Sequence, residues 1–239
     1  MLKKTKKFHE LTKLKEFDTS TDENPPVSWT RVFYKFYPRL QSINLREGDN
    51  YDSFLRELLK MRESARIFSD VPVSFEDVSR ILGSCRIIDP TREPEKRTYP
   101  SAGARFPIEI YLVAYNIESL DKGVFHYNIK QNQLEILLKT DTTRLRRALF
   151  SPYLENPAGT IVFTSVISRS EVKYGYKAYP FSFIEAGHMG QNILLACTEI
   201  GLGACPVSGF LDDTIIKLLD LGEGEIPIYT ISFGKRKGL

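Results

Sequence analysis

FSFIEAGHMGQNILLACTEIGLGACPVSGF, residues 181–210, is the stretch of sequence that decides the fold. Its large apolar residues point in almost every direction around a helix of 3.6-residue period: Phe181, Ile184, Met189, Ile193, Leu194, Leu195 and Ile200. A helix that is apolar on all sides is buried, because a surface helix keeps one polar face. Gly201 and Gly203 then end it, since glycine readily takes the positive φ of a helix C-terminus. The pattern predicts a long buried helix over residues 181–201.

The same stretch also contains small residues, both within the helix and after it. Ala186 and Gly190 lie one helical turn apart, so their face allows another backbone to come close. Residues 204–210 leave the helix as an extended strand or loop of small residues that contains Ser208 and Gly209. A buried helix followed by bare backbone suggests that main-chain amides serve a ligand there. A plain core helix with a glycine cap is the alternative interpretation.

The composition is that of an ordinary globular protein. Its 33 basic and 30 acidic residues leave a net charge of +3, which is too balanced to indicate a nucleic-acid partner. Cys85, Cys197 and Cys205 form no CxxC pair, which argues against a disulfide framework and for a reducing compartment. Residues 3–16 lack the apolar core of a signal peptide, and no apolar run approaches the ~20 residues that span a bilayer. We therefore expect a soluble, cytoplasmic protein without a membrane or nucleic-acid partner.

The chain divides into two regions. Residues 1–50 contain Pro25, Pro26 and an aromatic group around Trp29 without clean periodicity, which predicts an extended N-terminal arm. Such an arm either wraps a partner subunit or packs on its own chain. In residues 51–239 helical and β patterns are interspersed with a hairpin, which predicts a single domain of the α+β class. The predicted helices cover residues 51–61, 142–150, 181–201 and 212–219, with another beginning at Ser74; the predicted strands cover 108–115, 124–127, 134–138, 160–166 and 227–233.

A first candidate binding motif is Arg62-x-Ser64-x-Arg66, which places two guanidinium groups one helical turn apart with a hydroxyl between them. Arginine binds phosphate oxygens bidentately, and a serine hydroxyl can serve a further oxygen. The motif favours a phosphate site. Two surface arginines at the end of a helix are the alternative.

In two further segments, small side chains leave the backbone accessible to a ligand. Pro100-Ser101-Ala102-Gly103-Ala104 could approach a flat ligand, although a tight turn before a strand would have the same composition. Residues 205–210 could bring an amide N–H to a ring nitrogen. The order of the segments is more informative than any one of them: the Arg/Ser motif, the small-residue turn, the buried helix and a terminal basic cluster.

In this order the chain resembles the nitroreductase-like flavoproteins, and within them the thiazoline/oxazoline dehydrogenases of the SagB/ThcOx type, which mature ribosomal peptides. The resemblance runs from FHELT at residues 8–12 to the terminal strand, through the motifs at residues 62–68, 100–104, 169–174, 185–188 and 201–210. It implies a nitroreductase-like fold, with a central, mostly antiparallel sheet flanked by helices around a long buried central helix. Residues 51–239 would form the FMN-binding domain.

The resemblance also implies FMN at a homodimer interface. The phosphate would be held by the Arg/Ser motif together with Lys235 or Arg236, and the small-residue turn would lie against the isoalloxazine from the other subunit. The backbone of Ser208 and Gly209 would face flavin N5. Many nitroreductases have a glutamate at the Ser208 position, a change that leaves a backbone contact intact. The implied cofactor-binding residues are Arg62, Ser64, Arg66, Pro100, Ser101, Ala102, Gly103, Ser208, Gly209, Lys235 and Arg236.

Lys173-Tyr174 matches the Lys-Tyr pair that the azoline dehydrogenases use beside the flavin. Conversion of a thiazoline to a thiazole removes a Cα proton and a hydride, so a base must stand opposite N5. A lysine can be that base only if desolvation or a nearby cation lowers its pKa, and Arg169 and Arg105 are candidates for the cation. A loop pair without a catalytic role is the alternative.

His188 lies on the apolar helix beside Gln191 and Asn192, one turn further on. These side chains can accept its ring N–H, so we expect a hydrogen-bonded core histidine and no catalytic role. No second histidine or cysteine is placed to complete a metal site, and none is expected.

We therefore expect an FMN-dependent oxidoreductase that oxidises thiazoline or oxazoline rings to thiazole or oxazole in a ribosomal peptide. Oxygen would be the final electron acceptor, and a cyclodehydratase is a candidate partner. A general NAD(P)H-dependent nitro- or quinone reductase is the first alternative, and rapid flavin reduction by NAD(P)H would favour it. The second is a flavin- or peptide-binding partner subunit without turnover of its own.

Overall fold

A computed structural model describes residues 1–17, 32, 34–45, 53–142, 146, 149 and 154–238. The α-helices within them are α1 (Lys3–Thr12), α2 (Phe54–Met61), α3 (Phe75–Gly83), α4 (Ser168–Tyr174), α5 (Ala178–Glu199) and α6 (Asp212–Leu218). The strands are β1 (Ile87–Asp89), β2 (Lys96–Arg97), β3 (Ile108–Ala114), β4 (Gly123–Asn128), β5 (Gln133–Lys139), β6 (Gly159–Val166), β7 (Gly203–Val207) and β8 (Glu225–Gly234). The predicted α+β class is confirmed.

Strands β3 to β8 form a six-stranded sheet in the order β5-β4-β3-β6-β8-β7. Every neighbouring pair is antiparallel, and β4 and β5 form the predicted hairpin. Strand β6 lies at the centre and is buried at all but its last residue, as expected of a strand that is covered on both faces. Short β1 and β2 pair separately.

Helix α5 packs closely on the sheet through its small residues. A Cβ atom built on Gly190 would lie 2.5 Å from Cε1 of Tyr229 on β8, so only glycine fits. Met189 and Ile193 beside it are fully buried, and truncating either to alanine would cost about 2–5 kcal/mol. Gly201, with φ of 75°, ends the helix as predicted. The space that Gly190 leaves is therefore filled by side chains of β8, and the expected approach of another backbone stays a prediction.

The other face of α5 is uncovered in the single chain. Phe183 and Ile184 are 40% and 56% exposed. The prediction of all-round burial is therefore correct for only part of the helix surface, because one chain supplies packing partners for one side.

The N-terminal region differs from its prediction. Lys3–Thr12 form helix α1, so extended structure is wrong for this part of residues 1–50. Ten residues make a marginal helix in water, and contacts with the body of the protein support it here. Leu14 pairs with Leu211, and Lys13 Nζ lies 2.8 Å from Asp213 Oδ1.

The rest of the predicted arm is only partly described. Residues 34–45 are irregular, and Tyr34, Phe36 and Tyr37 are exposed. Trp29 and Phe33 lie outside the described residues.

One helix of the structure was not predicted, and one predicted helix is only partly described. Ser168–Tyr174 form α4, which was not among the predicted helices because it is too short for its periodicity to show in the sequence. Of the helix predicted at residues 142–150, Arg146 and Leu149 are helical, and most of the others lie outside the described residues. Ser74 caps α3 as predicted, accepting a hydrogen bond from the Asp77 N–H at 3.0 Å.

No described helix combines the length and apolarity needed to cross a bilayer.

Candidate active site

The Arg62-x-Ser64-x-Arg66 motif lies beside the first residues of β7. Helix α2 ends at Met61, so the two arginines are not one helical turn apart as predicted. Instead Ser64 pairs with Ala204 as an isolated parallel bridge, and the Ala65 N–H donates to the Ala204 carbonyl at 3.0 Å. In an extended segment alternate residues lie on one side. The spacing that was assigned to a helix therefore still groups the three side chains.

The C-terminal cations join this segment only in part. A Cβ on Gly203 would lie 2.7 Å from Ala65 Cβ and 3.0 Å from Arg236 Cγ, so the three chain segments meet with bare backbone between them. Arg236 donates a hydrogen bond to Glu63. The backbone carbonyl of Lys235 accepts from Ser69 N at 2.8 Å, which places its backbone in the cluster.

Arg66 lies close enough to Cys205 on β7 to act on its thiol. Burial raises the pKa of Cys205, and the charge of Arg66 opposes that rise. Guanidinium groups near a hydroxyl and open main chain make a suitable anion site, so the residues present fit a phosphate group.

Ser208 and Gly209 follow the end of β7 and are both exposed. Four residues of extended chain separate Ala204 from Ser208, roughly 13 Å. A ligand with an anionic end and a flat end could therefore contact both along one strand. The residues predicted to bind the phosphate and those predicted to face the edge of the ring thus lie along the same strand, β7.

The small-residue turn and the Lys-Tyr pair, which are distant in sequence, are in contact. Ala102–Ala104 form a single 3-10 turn in which Gly103 has φ of 57°. A Cβ on Gly103 would lie 2.2 Å from Tyr174 Oη and 2.7 Å from Lys173 Nζ. The amine and the phenol therefore occupy the space that any larger residue at position 103 would need.

Helix α4 holds this pair through charged anchors. Arg169 lies 2.5 Å from Glu109 Oε1 and donates to the Phe106 carbonyl at 3.2 Å. Arg105 Nε donates to the Arg169 carbonyl at 2.8 Å. Both arginines were candidates for a cation that acts on Lys173. Their contacts show an anchoring role, with the Arg169 charge paired to Glu109.

The ring of Tyr174 connects the pair to the central helix. It packs edge-on against Phe181 of α5 with ring centroids 5.2 Å apart. Lys173 Nζ lies 5.4 Å from the centroid of the Tyr174 ring. The position of α5 therefore sets the position of both side chains.

Glu185 on α5 is a site residue that sequence reasoning did not assign. It is 3% exposed and lines a cavity of about 330 Å³ together with the Pro100–Ala102 segment. Oε2 accepts a hydrogen bond from the Ser101 hydroxyl, and Oε1 has no partner within the described part of the chain. Burial raises the pKa of Glu185 to about 7. The sequence did contain a signal for this residue: Glu185 is an acidic residue on the same face of α5 as Met189, one helical turn away.

His188 lines the same cavity and is exposed, so the prediction of a core histidine is wrong. It lies on the uncovered side of α5. Asn192 was expected to accept a hydrogen bond from His188. Its side-chain amide instead donates to the carbonyls of Ser84 and Thr98, both at 3.2 Å. Among the described residues no group of three or more His, Cys, Asp or Glu side chains could hold a metal ion.

A second cavity, of about 700 Å³ and mostly apolar, lies between α1 and α5 and includes Ser208. His9 is buried at its wall, with Nδ1 3.3 Å from Tyr179 Oη, and burial lowers its pKa. Ile184 lines both cavities. Two of the predicted site segments, Ser208 after β7 and the Pro100–Ala102 turn, therefore line cavities that meet at Ile184.

Residues 59–235 match the Nitroreductase family, so the chain belongs to that family. A protein of Methanocaldococcus jannaschii that is named a nitroreductase is 26% identical over 184 residues, which are 76% of this chain and 91% of that protein. The microcin B17-processing protein McbC of Escherichia coli is 30% identical over 145 residues, 58% of this chain and 53% of McbC. This chain thus spans about half the length of McbC. The nitroreductase-like fold is confirmed.

The chain is also similar to a solved assembly. The E. coli microcin synthetase McbBCD complex with truncated pro-MccB17 bound contains a chain that superposes with a TM-score of 0.81 at 26% identity. The match covers 98% of this chain and 92% of that one. The resemblance noted in the sequence therefore extends to the three-dimensional structure of nearly the whole chain.

Gly103→Ala should displace the heads of Lys173 and Tyr174, because its Cβ enters their space. Both are ends of flexible side chains, so the loss of stability should be about 1–2 kcal/mol, mainly from the left-handed backbone. Gly201→Ala is the matched control, since φ there is 75° and a Cβ would meet no described atom within 4 Å. Urea unfolding should give similar losses for both. Crystal structures should show the pair displaced only in Gly103→Ala, and an unmoved pair would contradict the contact.

Proposed function

We propose that the protein is an FMN-dependent dehydrogenase that oxidises thiazoline or oxazoline rings of a ribosomal peptide to thiazole or oxazole. The observation that carries the proposal is the contact of Lys173 and Tyr174 with the bare backbone of Gly103. The similarity to McbC, a microcin-processing protein, and to a chain of a complex with a bound propeptide supports it.

The cofactor part of the proposal rests on the line of residues along β7. The nitroreductase family is flavin-dependent, and a phosphate at one end of the line suits FMN. Arg62, Ser64, Arg66 and Arg236 would hold the phosphate, with Lys235 adjacent. FMN, when bound, would supply the acceptor for the hydride that leaves the azoline ring.

Ser208, Gly209 and the Pro100–Gly103 turn would position the flat end of the ligand. Their small side chains leave main-chain groups accessible, and main-chain N–H groups orient a ring without the entropy cost of a long side chain. The apolar walls of the neighbouring cavity would exclude water from the reacting ring.

Lys173 and Tyr174 would handle the proton. Lys173 is exposed in the single chain and the nearby arginines anchor α4, so the bound FMN and peptide would have to exclude water from the amine. The Lys173 amine would then accept the Cα proton of the azoline ring while the hydride leaves, so that two electrons and two hydrogens are removed together. Tyr174, packed against Phe181, limits the positions that the amine can take and presents its hydroxyl beside it. Oxygen would be the final electron acceptor.

We further propose a homodimer in which the uncovered face of α5 is buried. Phe183 and Ile184 are exposed apolar residues of that face, and Phe36 and Ile43 in the irregular N-terminal segment are exposed as well. An exposed apolar surface of this kind is typical of an interface. Association would bring a second copy to the two cavities that meet at Ile184. A peptide substrate and a cyclodehydratase complete the proposed assembly.

A general NAD(P)H-dependent nitro- or quinone reductase is the second candidate. It is favoured by the similarity to the M. jannaschii protein over most of both chains. It needs no base at Lys173, so the Lys173 variant below separates the two activities. A partner subunit without turnover would bind FMN or peptide and show neither activity.

Arg66→Ala should weaken FMN binding by roughly tenfold to a hundredfold, because a charge-assisted hydrogen bond contributes about 1.5–3 kcal/mol. The purified protein should release FMN and not FAD on denaturation. Fluorescence quenching on titration of the apoprotein measures the affinity. Arg80→Ala is the control, since Arg80 forms a surface pair with Glu76 on α3. Equal affinity in the wild type and Arg66→Ala would refute the phosphate role.

Lys173→Ala should lower azoline oxidation by about 10²–10⁴ with FMN content unchanged, which is the contribution of a positioned general base. Lys177→Ala, an exposed lysine one turn later, is the control and should retain activity. Tyr174→Phe keeps the ring, so a large loss would indicate proton handling and a small one packing. Heterocycle oxidation is followed by mass spectrometry as the loss of two hydrogens. Undiminished oxidation by Lys173→Ala would remove the pair from the mechanism.

Ile184→Lys should dissociate the proposed homodimer and release the flavin, because a charge replaces an apolar contact between copies. Ile136→Lys alters a similarly exposed isoleucine on edge strand β5 and should leave the assembly intact. Light scattering in dilute solution reports the mass, and absorbance reports the flavin. A wild-type monomer that retains its flavin would contradict the dimer.

A further inference from the structure

Glu185 is a buried carboxyl group with half of its hydrogen-bonding capacity unused. Oε2 accepts from Ser101, whereas Oε1 is buried without a partner in the described ranges. A carboxylate offers about four acceptor sites, and leaving them unpaired away from water is costly. Asp212, another buried acid, is served by the Leu14 N–H at 3.1 Å. Glu185 therefore lies in a position that suits the neutral acid better than the anion.

Within the part of the chain that the structure describes, the arginine that acts on Glu185 is already paired with other groups. Arg97 is near enough to lower the pKa, but it pairs with Glu95 at 2.5 Å and donates to Tyr99 Oη at 2.9 Å. His188 on the same helix lines the shared cavity and is exposed. Burial outweighs the hydrogen bond from Ser101 and the charge of Arg97, and the pKa of Glu185 rises from 4.5 to about 7.

Ser101 connects Glu185 to the Lys-Tyr pair. Its hydroxyl oxygen accepts the Phe106 N–H at 2.9 Å, and its carbonyl accepts the Ala104 N–H at 3.1 Å. These bonds hold the two ends of the turn that carries Gly103. A displacement of Ser101 therefore moves Gly103, whose backbone limits the positions of Lys173 and Tyr174.

We propose that Glu185 is a positioning residue that works in its protonated form: neutral, it stays buried on α5, holds Ser101, and so keeps Gly103 against Lys173 and Tyr174. When Glu185 loses its proton, the cost of burying the charge outweighs the stronger hydrogen bond from Ser101, so the anion turns toward the adjoining cavity and releases Ser101. The activity part of this inference rests on the proposed function. The protonation part is a property of the folded chain.

The sign of the pH dependence follows from the raised pKa of Glu185. The folded state holds this proton more tightly than the unfolded chain, so its contribution to stability is present below about pH 4.5 and is lost as the pH rises to about 7. The positioned form dominates below pH 7, falls about fivefold between pH 7 and pH 8, and falls about tenfold for each pH unit beyond that.

Glu185→Gln tests the proposal, because the amide oxygen can still accept from Ser101 but the side chain cannot ionise. The wild type, with its flavin bound, should show an infrared carboxylic-acid band that titrates near pH 7, and this band should be absent in Glu185→Gln. The Tyr174 ring resonance in NMR should shift with the same midpoint in the wild type only. Glu199→Gln, an exposed acid at the end of α5, is the control and should titrate like the wild type.

Azoline oxidation provides the functional readout. The wild-type rate should fall between pH 7 and pH 8 by about fivefold more than that of Glu185→Gln. If the protein does not oxidise azolines, the infrared and NMR titrations still decide the inference, so its failure and that of the proposed function are distinguishable. The absence of a titrating band would overturn it. So would a band whose titration leaves the Tyr174 signal unmoved.

Discussion

The close approach of α5 to β8 is the contact on which the rest of the structure depends. At Gly190 the helix comes so near to Tyr229 that a Cβ would overlap the ring. Because the Tyr229 ring fits against Gly190, Met189 and Ile193 beside it reach the sheet and are fully buried, with the density that protein interiors require. The same packing fixes the rotation of α5 about its axis. It thereby turns Glu185 inward and leaves Ile184 facing outward.

Two features organise the site: glycines that leave space for neighbouring side chains, and ion pairs that differ in how deeply they are buried. Gly103 and Gly203 each leave space that a functional or cluster residue occupies. Arg169 pairs with a mostly buried Glu109, which suits an anchor. Arg236, which is 18% exposed, pairs with Glu63, whose side chain is 69% exposed and can turn into solvent. The proposed phosphate would therefore compete only with an exposed carboxylate for Arg236.

The sequence by itself determined the features that depend on local periodicity and backbone chemistry. The long helix, its glycine end, the β4–β5 hairpin and the α+β class follow from patterns within about twenty residues. The Lys-Tyr pair and the small-residue turn were recognised from resemblance. Their contact with each other was not implied by composition or spacing. Helix α1 and helix α4 were missed because each is short and depends on docking.

Only the tertiary structure decided which side of each element is covered. Glu185 and His188 lie three residues apart on one helix, yet one is buried and the other exposed. No periodicity distinguishes them, since the helix is apolar on nearly every face. The Arg62 to Arg66 spacing fits a helix as well as a strand, and its pairing with Ala204 selected the strand. Burial and pairing are set by residues distant in the chain, and for Glu185 burial by this distant environment also raises the pKa of the carboxyl group.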